Sequence, residues 1–146
     1  MTIPRTGRVI AVDWGAVRLG LAASDETQLL ASPIATLTRR PGKRFPMASF
    51  LARIEPLAPA GIVVGLPLES SGDEGASAAE ARRVAEAISR RTALPVALWD
   101  ERMSTARALA AIREQDGSTR GRKEDVDALA AAIILQHFLD SRRREE

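Results

Sequence analysis

Gly61 to Leu66, GIVVGL, contains no polar side chain. A strand with one face in water alternates apolar and polar residues, so an unbroken apolar run of this length needs cover on both faces, as in a parallel sheet flanked by helices. Leu94 to Trp99, LPVALW, is a second run of the same kind. Between them, Ala76 to Arg91 has helical spacing, with Val84, Ala87 and Ile88 on one side and Arg82, Arg83, Glu86, Arg90 and Arg91 on the other. Strand, helix and strand in this order imply an α/β sheet.

The first half adds strands of a different connectivity. Val9 to Val12 is apolar and strand-length, and Leu19, Leu21 and Ala22 resume the pattern after Gly15, which reads as two strands joined by a tight connection. Leu29 to Leu37 is a third strand-like run, and its Pro33, lacking an N–H, suits an edge. After the basic turn Arg39 to Arg44, the residues Phe45, Phe50, Leu51, Ile54 and Leu57 predict a short amphipathic helix that Pro56 to Pro59 stops. Ser104 and Thr105 can cap a further helix carrying Ala108, Leu109 and Ile112, and a last, largely buried helix runs from near Asp125 to about Asp140. The expected architecture is a mixed five-stranded sheet, a three-stranded antiparallel meander plus two parallel strands, with helices on both faces. Residues 1–146 fit one domain, with Ser141 to Glu146 expected to fray.

Composition removes several chemistries. With no cysteine and one histidine there is no disulfide framework, no thiolate nucleophile and no zinc site of nitrogen and sulfur ligands. His137 sits late in an apolar helix, where packing is the commoner role, and no serine has a histidine beside it in a motif. The isoelectric point near 9.9 suggests a nucleic-acid partner, yet the formal net charge is only +2. Few groups titrate just above neutrality, so a small arginine excess lifts the isoelectric point far. Nucleic-acid binding must therefore be argued from where the arginines lie. No apolar run has the length of a membrane span and the N-terminus MTIPRTGR lacks a signal-peptide core, so no membrane partner and a cytoplasmic location are expected.

What remains is acid chemistry at strand ends. Asp13 ends the first strand and Glu101 follows the last, so on neighbouring parallel strands they would lie side by side, where a divalent cation relieves their repulsion. Positions three, four, seven and eleven after Asp127 are Ala130, Ala131, Ile134 and Phe138, an apolar stripe that turns Asp127 toward the sheet, whereas Asp125 suits a helix cap. A turn, a surface ion pair and a cap would account for the same acids structurally. An oxygen-only set suits Mg²⁺ or Mn²⁺, and a pair of such ions can activate a water and stabilise the leaving oxygen in phosphodiester hydrolysis. Gly15, without a side chain, leaves the backbone open to a phosphate or metal-bound water.

VDWGAVRLGLAASD at Val12 to Asp25, IVVGLPLESSGDEG at Ile62 to Gly75, LWDERMST at Leu98 to Thr105, and KEDVDALAAAIILQHFLD at Lys123 to Asp140 together resemble the YqgF/RuvX family, in the same order and over nearly the whole chain. The resemblance implies a ribonuclease H-like fold and a metal-dependent nuclease whose acids are Asp13, Glu101 and Asp127. It further implies maturation of the 5′ end of pre-16S ribosomal RNA or, for some members, resolution of Holliday junctions. Trp14 stands where tyrosine or phenylalanine is common, Ser104 replaces a threonine and Arg107 a frequent acid.

For backbone phosphates the candidates are Arg18, Arg102, Arg120, Arg122 and Lys123, placed around the predicted acids, whereas Arg82, Arg83, Arg90 and Arg91 read as a solvated helix face. Two other classes compete with a nuclease. Asp-x-Gly in a hairpin also resembles the phosphate loop of actin-like and sugar kinases, but those need two such lobes. A non-catalytic RNA-binding assembly factor would keep the acids for stability alone. The chain would act as a monomer or a homodimer, and junction resolution would require the second.

Overall fold

The computed structural model describes residues 2–15, 17–39, 45–67, 71–101 and 123–145. Its sheet has the order β3-β2-β1-β4-β5, built from β1 (Val9–Trp14), β2 (Arg18–Ser24), β3 (Ala31–Thr38), β4 (Gly61–Leu66) and β5 (Val96–Asp100). β1 to β3 form the antiparallel meander, and β4 and β5 run parallel to β1. Pro33 is on β3, an edge strand, as its missing donor demands.

Each strand sends alternate residues to opposite faces. Ile10, Val12, Leu19, Leu21, Ile62 and Val64 meet α1 (Met47–Ile54) and α2 (Ala76–Thr92) through Phe50, Ile54, Val84 and Ile88. Val9, Ala11, Ala22 and Val63 meet α3 (Lys123–Arg144) through Ala130, Ala131, Ile134, Leu135 and Phe138. Helices thus cover both faces. The stripe counted from Asp127 is buried throughout, and Asp127 itself is 4% exposed. Among the described residues no helix is long and apolar enough to cross a membrane.

Three expectations need correction. β5 is not deeply buried: it is the other edge strand, and every residue in it is only partly covered. β1 and β5 are not neighbours, because β4 pairs with both. The last helix runs past its expected end near Asp140, since α3 continues to Arg144. Arg142 donates to the Ile3 carbonyl at 2.8 Å and stacks over Phe138 at 5.2 Å, while Arg143 donates to the Gln28 carbonyl at 3.1 Å. These contacts fasten the end of α3 to the N-terminal segment and the β2–β3 turn. The expected helix from Ser104 and the basic loop before Lys123 lie outside the described residues.

Candidate active site

Asp13 is the fifth residue of β1, in register with Gly20 of β2. Alternation from Val9 and Ala11 places its side chain on the α3 face, where it is half-buried. Both neighbouring strands present glycine at this level: Gly20 on one side and, by continuing the Val12 to Val64 register, Gly65 on the other. Each glycine makes room for a different acid. A Cβ on Gly20 would lie 1.9 Å from the Asp127 carbonyl oxygen, so α3 at Asp127 rests directly on the strand backbone. A Cβ on Gly65 would lie 2.6 Å from Oε1 of Glu101.

β4 separates Asp13 from Glu101 by two strand spacings, about 10 Å at the backbone. Glu101 folds its carboxylate back over Gly65, where Ile134 of α3 also packs. Asp13, Glu101 and Asp127 therefore gather on one face of the sheet, over a row in which glycine replaces side-chain bulk. Their carboxylates do not form a ready cage: among the described residues no three acid, histidine or cysteine side chains are grouped to hold a metal ion. Asp127 instead has a cation on it. Arg18 Nε donates to its Oδ2 at 2.6 Å, with the aspartate side chain 5% and the arginine 25% exposed.

The turn after Asp13 is pinned by a residue that sequence reasoning left in a basic turn. Arg39 is 8% exposed, its guanidinium lies 4.2 Å from the centre of the Trp14 ring, and Nη1 donates to Glu80 of α2 at 2.8 Å and to the Gly15 carbonyl at 3.3 Å. Its own backbone N–H donates to the Val17 carbonyl at 2.9 Å. Gly15 donates to the Arg18 carbonyl at 3.0 Å, and a Cβ there would come within 2.6 Å of that oxygen, so the turn itself requires glycine. His137 accepts a 2.9 Å hydrogen bond from the Trp99 indole and packs against its ring.

Of the proposed phosphate contacts, Arg18 is on Asp127, and Lys123 opens α3. Arg102, Arg120 and Arg122 lie outside the described residues. Arg82, Arg83, Arg90 and Arg91 are exposed along α2, with Arg82 paired to Glu74 at 2.6 Å. The signal for the missed residues was present, because an interior strand glycine marks a bulge or the close approach of another group, as at Gly20 and Gly65.

A family profile described as RuvX, Holliday junction resolvase, matches residues 7–141. The chain belongs to the RuvX family. A protein of Koribacter versatilis (strain Ellin345) named "Putative pre-16S rRNA nuclease" is 42% identical over 136 residues, covering 93% of this chain and 88% of that protein. One of the same name from Anaeromyxobacter sp. (strain Fw109-5) is 43% identical over 135 residues, covering 92% and 98%. Among solved structures, Thermus thermophilus RuvC, in complex with a Holliday junction substrate, superposes with a TM-score of 0.56 at 17% identity, over 94% of this chain and 96% of that one. The fold is thus ribonuclease H-like, and the family membership makes this chain a nuclease, a hydrolase of phosphodiester bonds.

Proposed function

We propose that this RuvX-family nuclease depends on Mg²⁺ or Mn²⁺, that Asp13, Glu101 and Asp127 are its metal ligands and catalytic acids, and that its substrate is RNA, the 5′ end of pre-16S rRNA in the cytoplasm. The observation that supports this reading is the row Gly20, Asp13, Gly65: the α3 backbone at Asp127 lies on Gly20 and the Glu101 carboxylate lies over Gly65, on either side of Asp13. Removing two side chains from a buried sheet face sacrifices packing; the space over Gly20 is taken by the α3 backbone at Asp127 and that over Gly65 by the Glu101 carboxylate. The oxygen-only donor set fits hard divalent cations, although one ligand is engaged by Arg18.

Bound there, such ions would supply an activated water and charge stabilisation at the leaving oxygen. The protein's share is orientation. Arg39 holds the turn that follows Asp13, and Gly15 is the residue that turn requires. Arg18 and Lys123, with Arg102, Arg120 and Arg122, would contact backbone phosphates, which fix register without reading sequence. The rRNA assignment is supported by the names of the relatives; junction resolution is the second reading, favoured by the description of the matching family profile.

Asp13→Asn tests the chemistry. Cleavage of a 5′-extended 16S precursor should fall at least about a hundredfold, the usual scale for removing a group that stabilises developing charge, with the melting temperature nearly unchanged. Full residual activity in Mg²⁺ would sink the assignment and favour a non-catalytic RNA-binding factor. Digesting the precursor and a four-way DNA junction side by side, with a solution molar mass, separates the two nuclease readings. Two symmetric cuts need two active sites, so a monomer that cleaves only RNA excludes resolution.

A further inference from the structure

Asp127 is nearly sealed from water, and a carboxylate in that position must have a cationic partner or give up its charge. Arg18 is that partner, reaching 109 positions along the chain from the first residue of β2 to the first turns of α3. The same carboxylate is a proposed metal ligand. A guanidinium has five N–H donors and no lone pair to share with a cation, so it cannot serve as a bridge between aspartate and metal. A divalent ion and an arginine crowded onto one buried carboxylate would also repel one another strongly.

We propose that Arg18 is the resident counter-ion of Asp127, that a divalent cation competes with it for that carboxylate, and that the displaced guanidinium then takes a substrate phosphate. The inference rests on the nuclease reading above. Three observations meet in it. Oδ2 of Asp127 is committed to Arg18 at 2.6 Å, and among the described residues no three acids are grouped to hold a metal. Arg18 is also a quarter exposed while Asp127 is not, so the arginine is the member of the pair with somewhere to go. Finally, Arg18 belongs to the same turn as Gly15, directly after Asp13, and the planar fork of a guanidinium matches phosphate oxygens two at a time. Before the metal binds, the pair would hold the first turns of α3 against Gly20. Afterwards the cation would do so, and Arg18 would be free to engage the substrate only in protein already loaded for cleavage.

Mn²⁺ binding without nucleic acid, followed by the spectrum of the free aquo ion in electron paramagnetic resonance, decides the matter. Arg18→Gln removes the competitor and should bind Mn²⁺ more tightly, on the order of tenfold, a usual size for coupling between two ligands. It should also raise the KM for RNA at saturating metal. Unchanged or weaker Mn²⁺ binding in Arg18→Gln would overturn the proposal and make Arg18 a fixed brace. Should that variant not fold, the wild-type protein still answers. Its Arg18 Nε–H resonance, assigned by its absence from Arg18→Lys, should move on titration with Mg²⁺, and a resonance unmoved at saturation would overturn the exchange. Wild-type protein that binds no Mn²⁺ would instead break the nuclease reading itself.

Discussion

The two faces of the sheet are built on opposite principles. Toward α1 and α2 the strands present Ile10, Val12, Trp14, Leu19, Leu21, Ile62 and Val64, and the helices answer with Phe50, Ile54, Val84 and Ile88. Toward α3 they present Ala11, Gly20, Ala22 and Gly65 around Asp13, and α3 answers there with Ala128, Ala130 and Ala131, while Val9 and Val63 on the same face meet Ile134, Leu135 and Phe138. The first face is large and apolar throughout, whereas the second is built of small residues around Asp13. Hydrophobic stabilisation scales with area removed from water, so the first face carries stability. The second lets a helix backbone touch the sheet and holds carboxylates where the fold alone does not need them. A chain of this size can keep such a face only because the opposite one compensates.

Substitutions should therefore separate the two. Phe50 is fully buried, packs edge-on to Phe45 with ring centres 5.1 Å apart and lies across the sheet from the acids. Phe50→Ala should lose about 3–5 kcal/mol of stability in denaturant titration, as large core truncations do, while cleavage per folded molecule below the melting transition stays as in wild type. A parallel loss of activity would show that the faces are not independent.

Gly20→Ala should do the reverse. Its methyl group would meet the Asp127 carbonyl oxygen at 1.9 Å, and backbone cannot turn aside as a side chain can. The turn of α3 at Asp127 must lift, at a cost of about 1–3 kcal/mol in the range of overpacked cores. Because that turn carries Asp127, cleavage should fall far more than the stability change accounts for, and Mn²⁺ affinity with it. Normal turnover in a protein destabilised by that amount would disconnect the glycine row from the chemistry.

Most of the architecture was legible in the sequence because hydrophobic period and glycine placement are local. The run at Gly61 to Leu66, the meander and the inward phase of Asp127 each follow from a few adjacent residues. What escaped depends on order in space. Strand order is not encoded in any one strand, so β4 was not foreseen between Asp13 and Glu101, nor Gly65 as the gap across which Glu101 folds. Arg18 and Asp127 sit 109 residues apart, and each alone has an ordinary reading, as a phosphate contact and a metal ligand. Arg39 and Arg142 looked like members of a basic turn and a charged tail. Only a neighbouring aromatic ring and unpaired carbonyls turn them into clamps.

The smallest effect is expected from a carboxylate on neither face, which makes it the control for those on the α3 face. Asp25, in the β2–β3 turn, accepts a hydrogen bond from the Thr27 hydroxyl and, through Oδ1, from the backbone N–H groups of Leu30 and Leu29, each at 2.9 Å. The Thr27 hydroxyl first, then the Leu30 N–H, lower its pKa from 3.8 to about 2. All of its capacity is spent on holding a turn, with nothing offered to a ligand. The folded state favours the charged form, so the stabilisation is fully present above the unfolded pKa of 3.8 and is lost as pH falls through about 2. Asp25→Asn should accordingly melt slightly below wild type at pH 7, with that gap closing between pH 4 and pH 2. Cleavage and Mn²⁺ affinity at pH 7 should not change. A drop in Mn²⁺ affinity in this variant would mean that acids remote from the glycine row also feed the metal site, and the division between a stabilising face and a working face would no longer hold.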